Sequence, residues 1–324
     1  MRKVIIACYY GQFPAWMNLW VKSCELNPDF DFLLVTDSVL QNLPPNMTLH
    51  QESFADLKHR LSRVLGFEVC LEQPYKLCDY KPVYGLAFKE LIKDYDFWGH
   101  CDIDLVFGRI GHFFTDELFT QYDRLGTYAH LLFYRNNDEM NHLFTKKGSI
   151  FNYQTVFKGK WYYGLDEMFG MSLICRKNHV KWFDCGHAYC LDRSELRFSN
   201  PLSFDGTPNY RYQGVLWENG RIYHVYLSDD GQSHRDEKMY FHFSKIHYST
   251  IDYAESLYFD AERIRPVRSE EELQSMVKSV VADHSSFLCI SPRQERFMKG
   301  GWRQKYISIK RYLGLKLAKM QIYL

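Results

Sequence analysis

The first 36 residues carry the pattern that most restricts the fold. Val4–Cys8 and Phe30–Val35 are short apolar runs, and residues 14–26 between them repeat apolar side chains at helical spacing. These patterns predict a strand, a helix and a second strand. Strand, helix and strand in close succession form a βαβ unit, which requires a parallel sheet. We therefore predict an α/β fold built on a mostly parallel sheet.

Four residues fall where these predicted strands end. In open parallel sheets, ligands bind at the carboxyl ends of the strands. Tyr9, Tyr10 and Gly11 follow the first strand, and Asp37 follows the second. A tyrosine ring can stack on a nucleotide base, and a glycine lets the backbone approach it. The alternative is that the tyrosines only form a hydrophobic rim.

Composition narrows the classes of function. The chain has 324 residues, of which 46% are hydrophobic, so it can bury a sizeable core. Lys and Arg number 40 against 39 Asp and Glu, which argues against a nucleic-acid binder. The nine cysteines include no CxxC pair, and no apolar run approaches the ~20 residues of a membrane span. We expect free thiols and a cytoplasmic protein, peripheral at most.

Further elements are predicted along the chain from the same periodicities. Helices are expected at Leu57–Leu65, Lys81–Lys93 and 268–282, strands at Met171–Cys175 and Arg221–Leu227, and a loop at 198–211.

Two aspartates interrupt the apolar run from Tyr95 to Phe107. Residues i and i+2 of a strand share one face, so Asp102 and Asp104 should converge. Buried carboxylates are costly unless they are paired or bound to a cation, and hard ions such as Mg²⁺ or Mn²⁺ prefer oxygen ligands. The alternative is a strand end with two solvated aspartates.

Two longer motifs give this pair a context. The chain contains Lys76-x-x-Asp79-x-Lys81-Pro82 and then Phe97-Trp98-Gly99-x-x-Asp102-x-Asp104. Together they resemble a bacterial family of GT-A glycosyltransferases found among capsule and surface-polysaccharide genes. The resemblance extends from about residue 3 to about residue 250.

That resemblance implies a fold and a reaction. The fold is GT-A, a Rossmann-like sheet with helices on both faces, plus C-terminal helices. Residues 1–265 would form the transferase domain and 266–324 a C-terminal helical region. Asp102 and Asp104 would bind Mn²⁺ or Mg²⁺, which bridges the diphosphate of a nucleotide sugar, with a UDP-sugar as the expected donor.

The resemblance also assigns residues around the diphosphate. His242 and Lys245 are similar to a late His-x-x-Lys in which the histidine completes the metal shell and the lysine contacts the diphosphate. Alternatively, His242 bonds a neighbour within a strand and Lys245 is solvated, and His247 competes for the ligand role. Asp79 would contact the nucleoside, or else cap a helix beginning near Pro82.

Lys81 would approach the phosphates, or else be a surface residue. Asp166 and Glu167 would supply the base that deprotonates the acceptor hydroxyl in an inverting enzyme, or would bind the acceptor in a retaining one. The alternative is that both only favour a helix N-terminus through its dipole. Trp161 and Tyr163 would form a sugar platform beside them.

The C-terminal segment 291–324 has nine Lys and Arg and one acidic residue. A basic amphipathic helix there would contact an anionic membrane through residues 293–324, or would pack on the domain or on a partner. Membrane contact suits an acceptor that is a glycan or a lipid-linked oligosaccharide. The rival predictions for function are a metal-dependent phosphoesterase and an inactive glycan-binding protein on the same fold.

Overall fold

The computed structural model describes residues 1–185, 190–192, 210, 212–243, 248, 254–259, 264–279 and 301–322. The strands are β1 Lys3–Cys8, β2 Asp31–Thr36, β3 Met47–Gln51, β4 Phe97–Cys101, β5 Leu105–Phe107, β6 Arg124–Leu125, β7 Leu131–Arg135, β8 Trp182–Phe183, β9 Cys190–Asp192, β10 Tyr212–Glu218, β11 Arg221–Leu227, β12 Ser233–Lys238, β13 Tyr240–His242, β14 Ser256–Phe259 and β15 Ile264–Pro266. The α-helices are α1 Met17–Glu25, α2 Phe54–Leu65, α3 Tyr84–Ala87, α4 Lys89–Ile92, α5 Ile110–Phe113, α6 Asp116–Gln121, α7 Asp138–Asn141, α8 Tyr153–Lys158, α9 Met171–Lys177, α10 Glu270–Ser279 and α11 Trp302–Ile322. Two 3₁₀ helices span Pro74–Val83 and Leu143–Thr145.

The central sheet has the order β3-β2-β1-β4-β7-β6-β8. Strands β3, β2, β1 and β4 pair in parallel, β7 runs antiparallel to both of its neighbours, and β6 pairs in parallel with β8. The predicted α/β fold with a mostly parallel central sheet is therefore confirmed.

Strand β1 is buried on both faces. Val4 and Ile6 pack into one core cluster, while Ile5 and Ala7 pack into another on the opposite side. Alternate side chains of a strand point to opposite faces, so an unbroken apolar run is what a strand covered on both sides requires. Because both faces of β1 are covered, a ligand can approach this strand only at its ends.

Two smaller sheets complete the described part of the chain. One is antiparallel, with the order β12-β11-β10-β14-β15, and the other joins β5, β13 and β9. Leu273, Met276 and Val277 of α10 pack on the antiparallel sheet. Helix α10 confirms the helix predicted at 268–282, and β11 confirms the strand predicted at Arg221–Leu227.

The strand predicted at Met171–Cys175 is wrong, because Met171–Lys177 is helix α9. Its buried apolar residues are Met171, Ile174 and Cys175, which follow helical spacing. A short apolar run fits a buried helix and a buried strand equally well, and the tertiary contacts decide between them.

The single helix predicted at Lys81–Lys93 is also wrong. A 3₁₀ helix runs to Val83 with Pro82 inside it, and the short helices α3 and α4 follow. Pro82 has no N–H for a helical hydrogen bond, which favours an irregular segment. Asp79 therefore lies within the 3₁₀ helix and does not cap a helix at Pro82.

Helix α11 packs on the domain. Ile307 is buried, and Arg311 donates hydrogen bonds to the backbone carbonyls of Tyr162 and Tyr163. Gly314 packs closely as well, since a Cβ added there would lie 2.5 Å from the side chain of Ile150. The described part of the basic segment therefore packs on the domain through one face of the helix, and contact of the segment with an anionic membrane stays a prediction. No helix in the described part of the chain has the length and apolar composition needed to cross a bilayer.

Candidate metal centre and its surroundings

Asp102, Asp104 and His242 converge on one point. Each offers a ligand atom, and these atoms lie within 4.8 Å of one another. His242 Nε2 is 3.3 Å from Asp104 Oδ1. Two carboxylates and one imidazole form a donor set that suits a divalent cation such as Mn²⁺ or Mg²⁺.

The spacing of the aspartates predicted that they lie within a regular strand, but they do not. Strand β4 ends at Cys101 and β5 begins at Leu105, so residues 102–104 form a bend between them. Asp102 N donates to His130 O at 3.0 Å, and Trp16 Nε1 donates to Ile103 O at 3.0 Å. The two aspartates therefore converge because hydrogen bonds with two residues distant in the sequence, Trp16 and His130, fix the bend.

His242 reaches the bend through strand pairing. Strand β13 pairs antiparallel with β5, which places His242 opposite Leu105. Phe243 N then donates to Asp104 O at 3.0 Å. The late histidine and the aspartates are thus brought together by a short sheet formed from segments more than 130 residues apart in the sequence.

Lys81 is buried beside the metal centre. Its Nζ lies 2.6 Å from Asp102 Oδ1 and 3.6 Å from Asp166 Oδ2, and it donates to Ala129 O at 3.0 Å. Burial lowers the pKa of Lys81, but Asp102, Cys78 and Asp166 together raise it well above its usual value. The alternative of a surface lysine is therefore wrong, and Lys81 links the metal side of the site to Asp166.

Asp166 contacts Lys81, and Glu167 follows it in the sequence. Asp166 is 2% exposed and accepts a hydrogen bond from Tyr162 Oη at 3.2 Å. Burial raises the pKa of both carboxyl groups, and Lys81 opposes the rise. Glu167 is only half-buried, and the charges of Asp102 and His242 also affect its pKa. Of the two carboxyl groups, Glu167 is therefore the more accessible.

Three charged side chains hold the backbone that leads to this pair. Lys76 Nζ donates to Trp161 O, and Arg311 donates to Tyr162 O and Tyr163 O. From the other side, Asp79 accepts from the amides of residues 163 and 165, each at 2.8 Å.

Asp79 has no exposed surface, and its Oδ2 also accepts from Lys76 Nζ at 2.8 Å. We call the backbone of residues 161–165 the 161–165 segment. Asp79 therefore holds this segment in place through hydrogen bonds. The nucleoside contact that the resemblance implied for Asp79 would require an accessible oxygen.

The strand ends carry the remaining predicted residues. Gly11 has φ +101°, and its N–H donates to Asp37 Oδ1 at 3.0 Å, which joins the ends of β1 and β2. Tyr9 is half-buried against Phe13, and burial and the nearby charge of Asp104 raise its pKa. Tyr10 is buried and packs edge-on against Phe54, so Tyr9 is the more exposed of the two tyrosines.

His130 is a site residue that the sequence reasoning missed. Its ring lies 3.7 Å from that of His242, centroid to centroid. It stands in an irregular segment before β7, with no motif around it to mark it. Lys245 and His247 lie outside the described residues, as do residues 293–300 of the basic segment and most of the loop predicted at 198–211.

These features define an α/β protein with a candidate cation site at the carboxyl edge of its parallel strands. Residues 5–268 match the family described as "Family of unknown function (DUF6625)". The chain belongs to this family. No curated protein matches the sequence.

Solved structures with a similar arrangement include two of one enzyme. The galactosyltransferase LgtC in complex with donor and acceptor sugar analogues aligns with a TM-score of 0.38 and 10% identity, over 58% of this chain and 75% of that one. An active-site mutant of LgtC aligns with a TM-score of 0.39 and 11% identity over the same shares.

Proposed function

We propose that this protein is a metal-dependent glycosyltransferase. It moves a sugar from a nucleotide diphosphate sugar, with UDP as the first nucleotide to test, to a hydroxyl of a surface glycan or lipid-linked oligosaccharide. The observation that carries the proposal is the convergence of Asp102, Asp104 and His242 just after β4, which pairs in parallel with β1, the strand that leads to Gly11. A divalent cation there would meet phosphate oxygens where an open sheet binds its ligand.

The roles of the donor-side residues follow from their positions. Asp102, Asp104 and His242 would hold Mn²⁺ or Mg²⁺, which would supply positive charge to the leaving diphosphate. Gly11 and Asp37 approach the nucleoside, and Tyr9 borders it. Lys245, assigned on its motif alone, neutralises the diphosphate.

On the acceptor side, Glu167 is the proposed base. It is accessible, and its raised pKa suits a group that takes a proton from a hydroxyl. Asp166 is buried against Lys81 and Tyr162, so its role is to hold Lys81 in place. If the reaction retains configuration, Glu167 orients the acceptor hydroxyl.

Binding of UDP, measured by calorimetry with and without Mn²⁺, tests the donor half. Mn²⁺ should tighten UDP binding, and Asp104→Ala should weaken the metal-dependent part at least about tenfold. Asp94→Ala, which removes an exposed aspartate away from the site, is the matched control and should bind as the wild type does. Equal binding with and without Mn²⁺ would contradict the metal assignment.

A screen of nucleotide sugars against glycan acceptors tests the reaction itself. A transferase releases the nucleoside diphosphate and forms a longer glycan in equal amounts. Release of inorganic phosphate or of a sugar phosphate would instead identify a phosphoesterase. Glycan binding without turnover of any donor would identify an inactive glycan-binding protein.

A further inference from the structure

The outer face of helix α11 is unusually apolar for an exposed surface. Trp302 is 91% exposed, Tyr306 57%, Ile309 49% and Leu313 52%. Their spacing places them on one face of the helix, which we call the outer stripe. Ile307, Arg311 and Gly314 pack on the domain and follow a separate face of the same helix, and Lys310 lies over the ring of Phe151.

Charge sets this helix apart as well. Trp302–Ile322 contains no Asp or Glu, while Lys305 and Lys310 are among its six basic residues. Tryptophan and tyrosine favour the boundary between water and lipid, and basic side chains are attracted by anionic headgroups. A second copy of the chain would bring two basic helices together, and their like charges would oppose that pairing.

We propose that the outer stripe of α11 binds the surface of an anionic lipid bilayer, with the helix lying in the plane of the headgroups. The inner face of the same helix holds the 161–165 segment through Arg311. Bound lipid would therefore lie against the element that holds the segment leading to Glu167. This contact goes beyond the proposed transfer reaction and does not depend on it.

The full-length protein is tested by co-sedimentation with vesicles of phosphatidylcholine, either alone or with about 30% phosphatidylglycerol. We expect binding to the anionic vesicles that weakens as salt is raised, because salt screens the headgroup charge. The variant Trp302→Ser, Ile309→Ser, Leu313→Ser should bind at least about tenfold more weakly, since each side chain contributes apolar area. Lys305→Gln should weaken binding about fivefold.

The matched control is Val39→Ser, Val64→Ser, Leu91→Ser, which removes three apolar side chains that are also exposed. It should bind vesicles as the wild type does, and circular dichroism should show that both triple variants are folded. Failure of the wild type to bind anionic vesicles, or equal binding by the two triple variants, would overturn the proposal. So would a lipid-free dimer that the α11 variant alone disrupts. None of these measurements involves UDP or metal, so they are independent of the proposed function.

Discussion

The imidazole ring of His130 lies on that of His242, with centroids 3.7 Å apart and planes inclined by 32°. The backbone carbonyl of His130 also accepts a hydrogen bond from the backbone N–H of Asp102. One residue of an irregular segment therefore contacts two of the three candidate metal ligands. Mutation of a group that orients a metal ligand typically lowers metal affinity by about 10-fold to 100-fold. We infer that His130 fixes the ring plane of His242.

His130→Ala should weaken Mn²⁺ binding about tenfold to a hundredfold, because the ring of His242 loses the surface that orients it. His130→Phe keeps an aromatic face and should retain most of the affinity. Mn²⁺ titration followed by electron paramagnetic resonance measures both. Equal losses in the two variants would mean instead that His130 is itself a ligand, and no loss in either would remove it from the site.

Glu167→Gln should lower the rate of sugar transfer by about 10²–10⁴-fold, because the amide cannot accept the proton of the acceptor hydroxyl. Its Mn²⁺-dependent affinity for UDP should stay within about twofold of the wild type, since no donor-side role falls to Glu167. Rate and affinity are measured on the same preparation. A loss of UDP affinity that matched the loss of rate would place Glu167 on the donor side.

Asp166→Asn provides the contrast. Asp166 is buried and lies 3.6 Å from Lys81 Nζ. The neutral amide of the asparagine would remove one of the negative charges that offset the buried ammonium of Lys81. We expect a lower free energy of unfolding and weaker Mn²⁺ binding together, because Lys81 also contacts Asp102. Urea unfolding and the Mn²⁺ titration check the two effects. If only the transfer rate falls, Asp166 rather than Glu167 is the base.

Asp79→Ala should cost about 3–5 kcal/mol of unfolding free energy, because it leaves the buried ammonium of Lys76 without its carboxylate. It also leaves the amides of Tyr163 and Leu165 without an acceptor. Urea unfolding measures the cost, with the exposed Asp94→Ala as control. An unfolding free energy near the wild-type value, accompanied by weaker UDP binding, would restore the nucleoside contact that the sequence resemblance implied.

The sequence was most informative where local pattern and tertiary environment agree. Strand β1, helix α1 and strand β2 were predictable, because a buried strand must be apolar and an amphipathic helix must repeat its apolar residues. The pattern failed at Met171–Lys177, where a short apolar run is a helix. It also failed to predict the antiparallel sheet around β10 as a separate sheet, because the partners of a strand are not encoded in its own periodicity.

The candidate site also has a part that the sequence predicts and a part that only the fold creates. Asp102 and Asp104 are visible in the sequence because carboxylates are out of place in an apolar run. Their convergence, however, comes from a bend held by Trp16 and His130, not from the strand alternation that predicted it. Arg311 was equally hidden, since only packing of α11 brings it to the 161–165 segment, nearly 150 residues earlier in the chain.

His224 should make the folded protein less stable in mild acid. It is buried in β11 and bonded to Gln213, and burial lowers its pKa from 6.5 to about 4. The unfolded chain then binds a proton that the folded chain rejects, so stability is lost as the pH falls from about 6.5 towards about 4. Above that window both states are neutral at this residue, and below it both are protonated.

At pH 5 this linkage amounts to about 2 kcal/mol. His224→Phe keeps a ring beside Tyr226 but cannot bind a proton, so its unfolding free energy should fall less between pH 7.5 and pH 5 than that of the wild type by about this amount. Urea unfolding at the two pH values measures the difference. The control is His59→Phe, at an exposed position of α2, which should follow the wild-type pH dependence. Parallel behaviour of His224→Phe and the wild type would mean that His224 is already protonated in the folded protein at pH 5.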